Sequence, residues 1–201
     1  GWLACGITGV GRLPEPEAIV DWLEAKMCST NELEGTTILV TAGGTQESID
    51  PVRYIGNRSS GKMGYAIAEQ AARMGAKVIL VSAPTSLPIP SGVDFISVDS
   101  AVSMQEAVEA RYNDVNVVIM AAAVSDFRVL HKAEQKIKKM ESMTIELVKN
   151  PDILQGLGSK KSHQILVGFA AETEHVIKYG QDKVAKKNLD MLVANDVSKS
   201  N

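Results

Sequence analysis

The feature that most restricts the fold is a regular beat of short apolar runs. Thr37–Thr41, Lys77–Val81, Asp94–Val98, Asn116–Ala121, Ile165–Phe169 and Met191–Ala194 are each rich in β-branched or aliphatic residues. Helical patterns fall between them. Met63–Met74 places Met63, Ile67, Ala71 and Met74 at helical spacing, with Gly75 where a C-cap belongs. Val102–Tyr112 and Glu172–Lys187 read as further helices, and Pro151–Leu157 starts one with proline in its first turn. Continuously apolar strands that alternate with helices belong to a parallel sheet covered on both faces. The expected class is therefore α/β, a Rossmann-like doubly wound, mainly parallel six-stranded sheet. Thr144–Val148 breaks the beat: it alternates polar and apolar residues, as a half-exposed antiparallel strand outside the main sheet does.

The 201 residues leave room for one domain of roughly 150 to 170 residues and an appendage. The first thirty residues differ from the rest. Gly1–Pro16 is glycine-rich without a strand pattern, Pro16–Met27 reads as an amphipathic helix, and Ser29–Gly35 as a linker. A net charge of −3 gives no reason to expect a nucleic-acid partner, and the local clusters Lys136–Lys139 and Lys183–Lys187 suit a small anionic ligand better. No apolar run approaches the ~20 residues of a membrane helix, and no signal-peptide pattern is seen. Two cysteines, Cys5 and Cys28, make no disulfide framework, so a cytoplasmic location is expected.

In this class ligands bind beyond the carboxyl ends of the strands. After the first strand comes Ala42-Gly43-Gly44-Thr45, where paired glycines let a ligand approach the backbone, although such turns are common. The connection then runs to Ser60, against about 2 to 6 residues for an ordinary βα loop. It carries Asp50, Arg53, Asn57, Arg58, Ser59 and Ser60 and ends in Ser59–Gly64 at a helix start, which binds anions. One of the two serines is expected to cap the helix, but capping does not account for Arg53, Asn57 and Lys62 beside it.

The fourth strand leads into Ala121-Ala122-Ala123, small residues that leave room for a base or ribose, and Asp126, either an acceptor for ligand hydroxyls or a turn residue. Lys136 sits in a lysine run that is either a solvated loop or a phosphate contact. Phe169 ends the fifth strand as core or as a wall for a base. Lys183 and Lys187 share one helix face, where they can hold a polyphosphate. Tyr179 and Lys183 also form the Y-x-x-x-K spacing of short-chain dehydrogenases. Against a dehydrogenase stand the separation of Gly43-Gly44 from the helix, the lack of an acidic residue closing the second strand, and the chance frequency of that spacing.

Together Thr41–Thr45, Asp50–Gly64, Ala121–Asp126, Lys136–Lys139, Asn150–Ile153, Gly168–Thr173 and Lys187–Asp196 resemble phosphopantothenate–cysteine ligase, the ligase half of the bifunctional bacterial coenzyme A biosynthesis protein. Leu3–Pro16 resembles the end of the flavin-dependent decarboxylase domain that precedes it, with Cys5 matching a catalytic flap cysteine. The resemblance divides the chain into a decarboxylase tail and linker, 1–30, and a C-terminally incomplete ligase domain, 31–201. FMN and decarboxylation belong to the remainder of the first domain and are not expected of this chain. The implied reaction joins 4′-phosphopantothenate to L-cysteine with CTP and Mg²⁺ through an acyl-cytidylate, releasing pyrophosphate and CMP. No base-reading side chain separates CTP from ATP, and the bacterial two-domain arrangement favours CTP.

By resemblance Asn57 and Lys136 are catalytic. Gly43, Gly44, Ala121, Ala122, Ala123, Asp126, Lys136, Pro151, Asp152, Ile153, Leu154, Phe169, Lys183 and Lys187 hold the nucleotide. Arg53, Asn57, Ser59 and Ala123 hold the acyl substrate, and no protein ligand for the metal is assigned. The resemblance further implies a homodimer through a small antiparallel element, with the site shared between two chains. A non-catalytic fragment that binds nucleotide or only associates with partner subunits is the other class of function to separate from these.

Overall fold

The computed structural model describes residues 16, 19–20, 30–172 and 176–196. Ten strands and four helices follow one another in this part of the chain: β1 (Thr37–Ala42), β2 (Gln46–Ser48), β3 (Tyr54–Gly56), α1 (Lys62–Arg73), β4 (Lys77–Ser82), β5 (Val93–Ser97), α2 (Ala101–Glu109), β6 (Val117–Met120), β7 (Phe127–Val129), β8 (Leu147–Lys149), α3 (Ile153–Lys160), β9 (Ile165–Glu172), α4 (Val176–Lys187) and β10 (Met191–Asp196). The six expected strands form one sheet in the order β5-β4-β1-β6-β9-β10, parallel throughout. The chain starts at the middle, works outward to β5, then crosses back to build the other half. This is the doubly wound arrangement, and its switch point lies between β1 and β6.

Strand periodicity explains why both faces need cover. On β1, Ile38, Val40 and Ala42 join Tyr65, Ala68 and Ala71 of α1, with Val78 and Leu80 of β4. Leu39 points the other way, into a cluster with Met104 and Val108 of α2, Val118, Leu157 of α3 and Leu166. Each such fully buried aliphatic side chain contributes about 1.5–3 kcal/mol relative to exposure.

Several local expectations shift. Helix α1 buries Gly64, Tyr65, Ala68 and Ala71, whereas Met63 is 59% exposed. Gly64 decides this, because a Cβ there would meet the Ala42 side chain at 2.7 Å and the Thr41 carbonyl at 2.8 Å. The helix thus rotates its smallest residue onto β1. Gly75, with φ 91°, follows α1 as expected and takes the left-handed conformation that ends a helix. Pro151 lies outside α3: Asp152 is the N-cap, its carboxylate accepting from the Gln155 amide. Strand β9 runs on to Glu172, so the last helix starts at Val176. The alternating segment forms only β8, Leu147–Lys149, which pairs antiparallel with the unanticipated β7. Residues 16, 19 and 20 are helical. The remainder of the expected Pro16–Met27 helix lies outside the described residues, as do Cys5, Cys28 and Thr173.

Candidate functional site

At the switch point the loops after β1 and β6 do not splay apart. The Ala123 amide donates to the Gly43 carbonyl (2.8 Å) and the Thr45 amide to the Ala123 carbonyl (3.2 Å), so Gly44 and Ala123 continue the parallel pairing beyond the strands. Two threonine hydroxyls reinforce it. Thr41 Oγ1 accepts from the Ala122 amide at 3.1 Å and Thr45 Oγ1 from the Ser125 amide at 2.9 Å. Both threonines are fully buried, and satisfying buried amides in this way avoids a cost of about 1–3 kcal/mol each. Ser125 is anchored from the other side: the Asn150 side-chain amide donates to its carbonyl at 2.8 Å. The Ser125 hydroxyl is buried with no partner in the protein.

The glycines after β1 serve this packing. Gly43 has φ 79°, and a Cβ on it would lie 2.6 Å from the Ala83 carbonyl oxygen; on Gly44 it would lie 2.6 Å from the Asn57 carbonyl oxygen. On the side where a Cβ would project, the protein's own chain makes a close approach to each glycine. The long connection is likewise structured. Strands β2 and β3 form an antiparallel hairpin, docked through the buried Glu47 carboxylate, which accepts from the Ala101 amide at the start of α2 (2.9 Å). Asn57 follows the hairpin, exposed, and donates from Nδ2 to the Val124 carbonyl at 3.2 Å. It therefore links the two switch-point loops a second time.

Neither serine is the N-cap of α1. That position is Gly61, in the left-handed region with φ 75°. Ser59 Oγ instead accepts from the Gly61 amide at 3.3 Å, and Ser60 Oγ lies 3.5 Å from the Lys62 amide. A cavity of about 630 Å³ opens here between the hairpin, the Asn57–Lys62 stretch and the Pro84–Leu87 loop, with Gly44, Tyr54, Asn57, Arg58, Lys62 and Thr85 among its walls. The Thr85 wall is stiffened by hydrogen bonds from Thr85 Oγ1 to the Tyr65 hydroxyl (3.1 Å) and from that hydroxyl to Ser82 Oγ (3.2 Å).

Arg53 is engaged within the protein. Its Nε and NH2 both donate to Asp50 Oδ2, at 3.0 and 2.6 Å, and NH2 also reaches the Ile137 carbonyl at 3.0 Å. The Asp50 side chain is completely buried, and the guanidinium holds its carboxyl well below the usual carboxylate range, aided by the Val52, Arg53 and Ile137 amides. Lys136, Lys138 and Lys139 on the adjoining surface loop are exposed.

The other nucleotide candidates fall around β6, α3, β9 and α4. Ala121–Ala123 are half-buried and Asp126 is exposed, its carbonyl accepting from the Asn150 amide (2.7 Å). Asp152 faces Lys187 Nζ at 2.8 Å. Burial alone would raise the Asp152 carboxyl, but Lys187 and the Gln155 amide hold it below its ordinary value. Ile153 is 4% exposed and Leu154 packs against the same core, so Ile153 offers a ligand its backbone rather than its side chain. Pro151, Phe169 and Lys183 are half-buried. The side chain of Tyr179 lies outside the described residues. Thr41, Thr45 and Asn150 shape this region although sequence assigns them no individual role, and Asp50, singled out in the sequence as a polar group of the long connection, proves to be buried; threonines flanking a Gly-Gly pair were the available signal. No group of three or more His, Cys, Asp or Glu side chains able to hold a metal converges among the described residues.

The family model described as DNA/pantothenate metabolism flavoprotein C-terminal domain matches residues 33–201. The coenzyme A biosynthesis bifunctional protein CoaBC of Bacillus subtilis (strain 168) is 51% identical over 201 residues, covering 98% of this chain and 50% of its own length. The Escherichia coli (strain K12) protein of the same name is 49% identical over 203 residues with the same coverage. The chain thus spans about half the length of these curated relatives. A crystal structure of the C-terminal domain of such a bifunctional protein superposes with a TM-score of 0.75 at 50% identity, over 83% of this chain and 80% of that one.

Proposed function

Since the chain belongs to the family of DNA/pantothenate metabolism flavoprotein C-terminal domains, we propose that it is the phosphopantothenate–cysteine ligase of coenzyme A biosynthesis, with residues 31–201 as its ligase domain. One observation carries the reading: the Gly44–Ala123 pairing and the Asn57–Val124 hydrogen bond join the two switch-point loops. The residue matched to the acyl substrate therefore adjoins those matched to the nucleotide.

The reaction has two balanced steps. The pantothenate carboxylate attacks the α-phosphate of CTP, breaking the α–β bridge and releasing pyrophosphate. The cysteine amine then attacks the acyl carbon, loses a proton, and CMP departs. Little covalent chemistry falls to the protein, so positioning and charge neutralisation carry the rate. Asn57 orients the acyl group, with Ser59 and Ala123 beside it. Ala121–Ala123 and Asp126 hold base and ribose, while Pro151, Leu154, Phe169 and the Ile153 backbone close the nucleotide side. Lys136 approaches the reacting phosphate and Lys183 and Lys187 the rest of the polyphosphate. The described residues fit Mg²⁺ only as an ion carried on triphosphate oxygens and water, where it would offset phosphate charge, because they offer no cage of their own.

The exposed apolar side chains Val52, Tyr54, Phe127, Leu130 and Leu147 lie on or beside the hairpin and the β7–β8 pair. They support a homodimer formed by this antiparallel face, with the site shared between chains. No described helix is long and apolar enough to cross a membrane, which fits action in the cytoplasm next to a flavin-dependent decarboxylase domain, whose tail residues 1–30 would be. Incubation with phosphopantothenate, CTP, Mg²⁺ and cysteine tests the reading. Pyrophosphate and an acyl-cytidylate are expected; binding of CTP without pyrophosphate release would sink it.

A further inference from the structure

Asp50 has no role in that scheme, yet its carboxylate is fully buried and receives five donors. Its two oxygens divide the work. Oδ1 accepts from the Val52 and Arg53 amides, both at 2.8 Å, and closes the turn between β2 and β3. Oδ2 accepts from the Arg53 guanidinium and, at 3.1 Å, from the amide of Ile137, 87 residues further along. Arg53 completes a loop of bonds by donating to the Ile137 carbonyl. A turn alone needs only Oδ1. The Oδ2 arrangement fastens both backbone polar groups of one residue in a lysine-rich surface loop.

We propose that Asp50 is a positioning residue: with Arg53 it forms a clasp on Ile137 that fixes how far, and in which direction, the adjacent Lys136 reaches. Bonds to charged groups are roughly twice as strong as neutral ones, and two of them on the peptide groups flanking one residue resist both sliding and rotation. Asp50 and Arg53 also neutralise each other, so the clasp holds the loop without drawing on the lysine's charge. The depressed carboxyl keeps the clasp ionised through mildly acidic conditions. Its stabilising effect is present above the ordinary carboxylate range near 4 and fades only as pH falls far below it.

This inference rests on the ligase reading, and the test separates the two. In Asp50→Asn the amide oxygen keeps the turn, while the NH₂ group replaces Oδ2 and faces three donors. Expected is a fall in kcat for pyrophosphate release of about 10²-fold, the scale of a 1 Å misplacement, with KM for CTP within about twofold. Amide hydrogen exchange in residues 131–146 should quicken while the strands of the main sheet keep their protection. Should Asp50→Asn fail to fold, Ile137→Pro removes the clasped amide and leaves the turn, with the same expected result. Wild-type kcat in either variant, or a raised KM with kcat intact, overturns the positioning role and leaves the ligase. Slow exchange that is lost in Asp50→Asn, in a wild-type chain that releases no pyrophosphate, overturns the ligase reading and leaves the clasp.

Discussion

Two regions carry the lysines proposed to meet the nucleotide, and they hold them in opposite ways. Lys136 stands on an irregular surface loop, exposed, next to Ile137, which is gripped by the buried Asp50 carboxylate and the partly exposed Arg53 guanidinium. Lys187 stands in the last turn of α4 and is 2.8 Å from Asp152, which also caps α3. In the first region the fold neutralises its own charges beneath the loop, and among the described residues no carboxylate forms an ion pair with the lysine. In the second the lysine is part of the fold's own charge pairing and must exchange one anion for another to meet a phosphate. Secondary structure is therefore a poor guide to which lysine is available. The carboxylates decide it.

The largest effect that sharpens this contrast is expected from Lys136→Ala. Pyrophosphate release should fall by about 10²–10³-fold, the usual result of deleting one group that stabilises developing charge, with the melting temperature unchanged. An equal loss in both lysine variants would erase the distinction between the regions. Asn57→Ala, on the loop side but uncharged, should abolish ligation while isothermal titration still shows CTP binding; undiminished turnover would remove Asn57 from the site.

Lys187→Ala should act more gently, raising KM for CTP by only a few-fold, because the wild-type ammonium is already partly engaged. The loss of this half-exposed pair costs stability only within about 0–1 kcal/mol. Asp152→Ala should lower stability by about 1 kcal/mol through loss of the helix cap, or roughly 2–4 °C in Tm for a chain of this size. The smallest effect is the pH dependence. The Asp152 carboxyl is depressed in the fold, so its contribution is complete above the ordinary range near 4 and is lost as pH falls through the folded value. Melting curves should be level from about pH 8 to 5 and then decline, and Asp152→Asn should flatten that decline.

The main sheet was readable because its central strands β1 and β4 are apolar runs that burial on two faces accommodates, and Leu39 and Leu80, both fully buried, are where such runs place them. The short strands were not. β2, β3 and β7 have three residues each, too few for a period to emerge; β2 and β3 hold each other in a hairpin, β2 is also tied to Asp99 and Ala101, and β7 pairs with β8. Gly43 and Gly44 announced a close approach, and sequence could not show that segments at Ala83 and Asn57 of the same chain make one. Asp50 read as one polar residue among several because its burial depends on Ile137, far along the chain.

The pairing of Gly44 with Ala123 bears on how such a site can be altered. Residues 42–61 and 121–126 form one module in two pieces, so variation in either is constrained by the shape of the other. A chimera that takes the first stretch from a distant homologue and keeps the second would inherit mismatched halves of a single surface, and transplanting both together is the smallest exchange that preserves it.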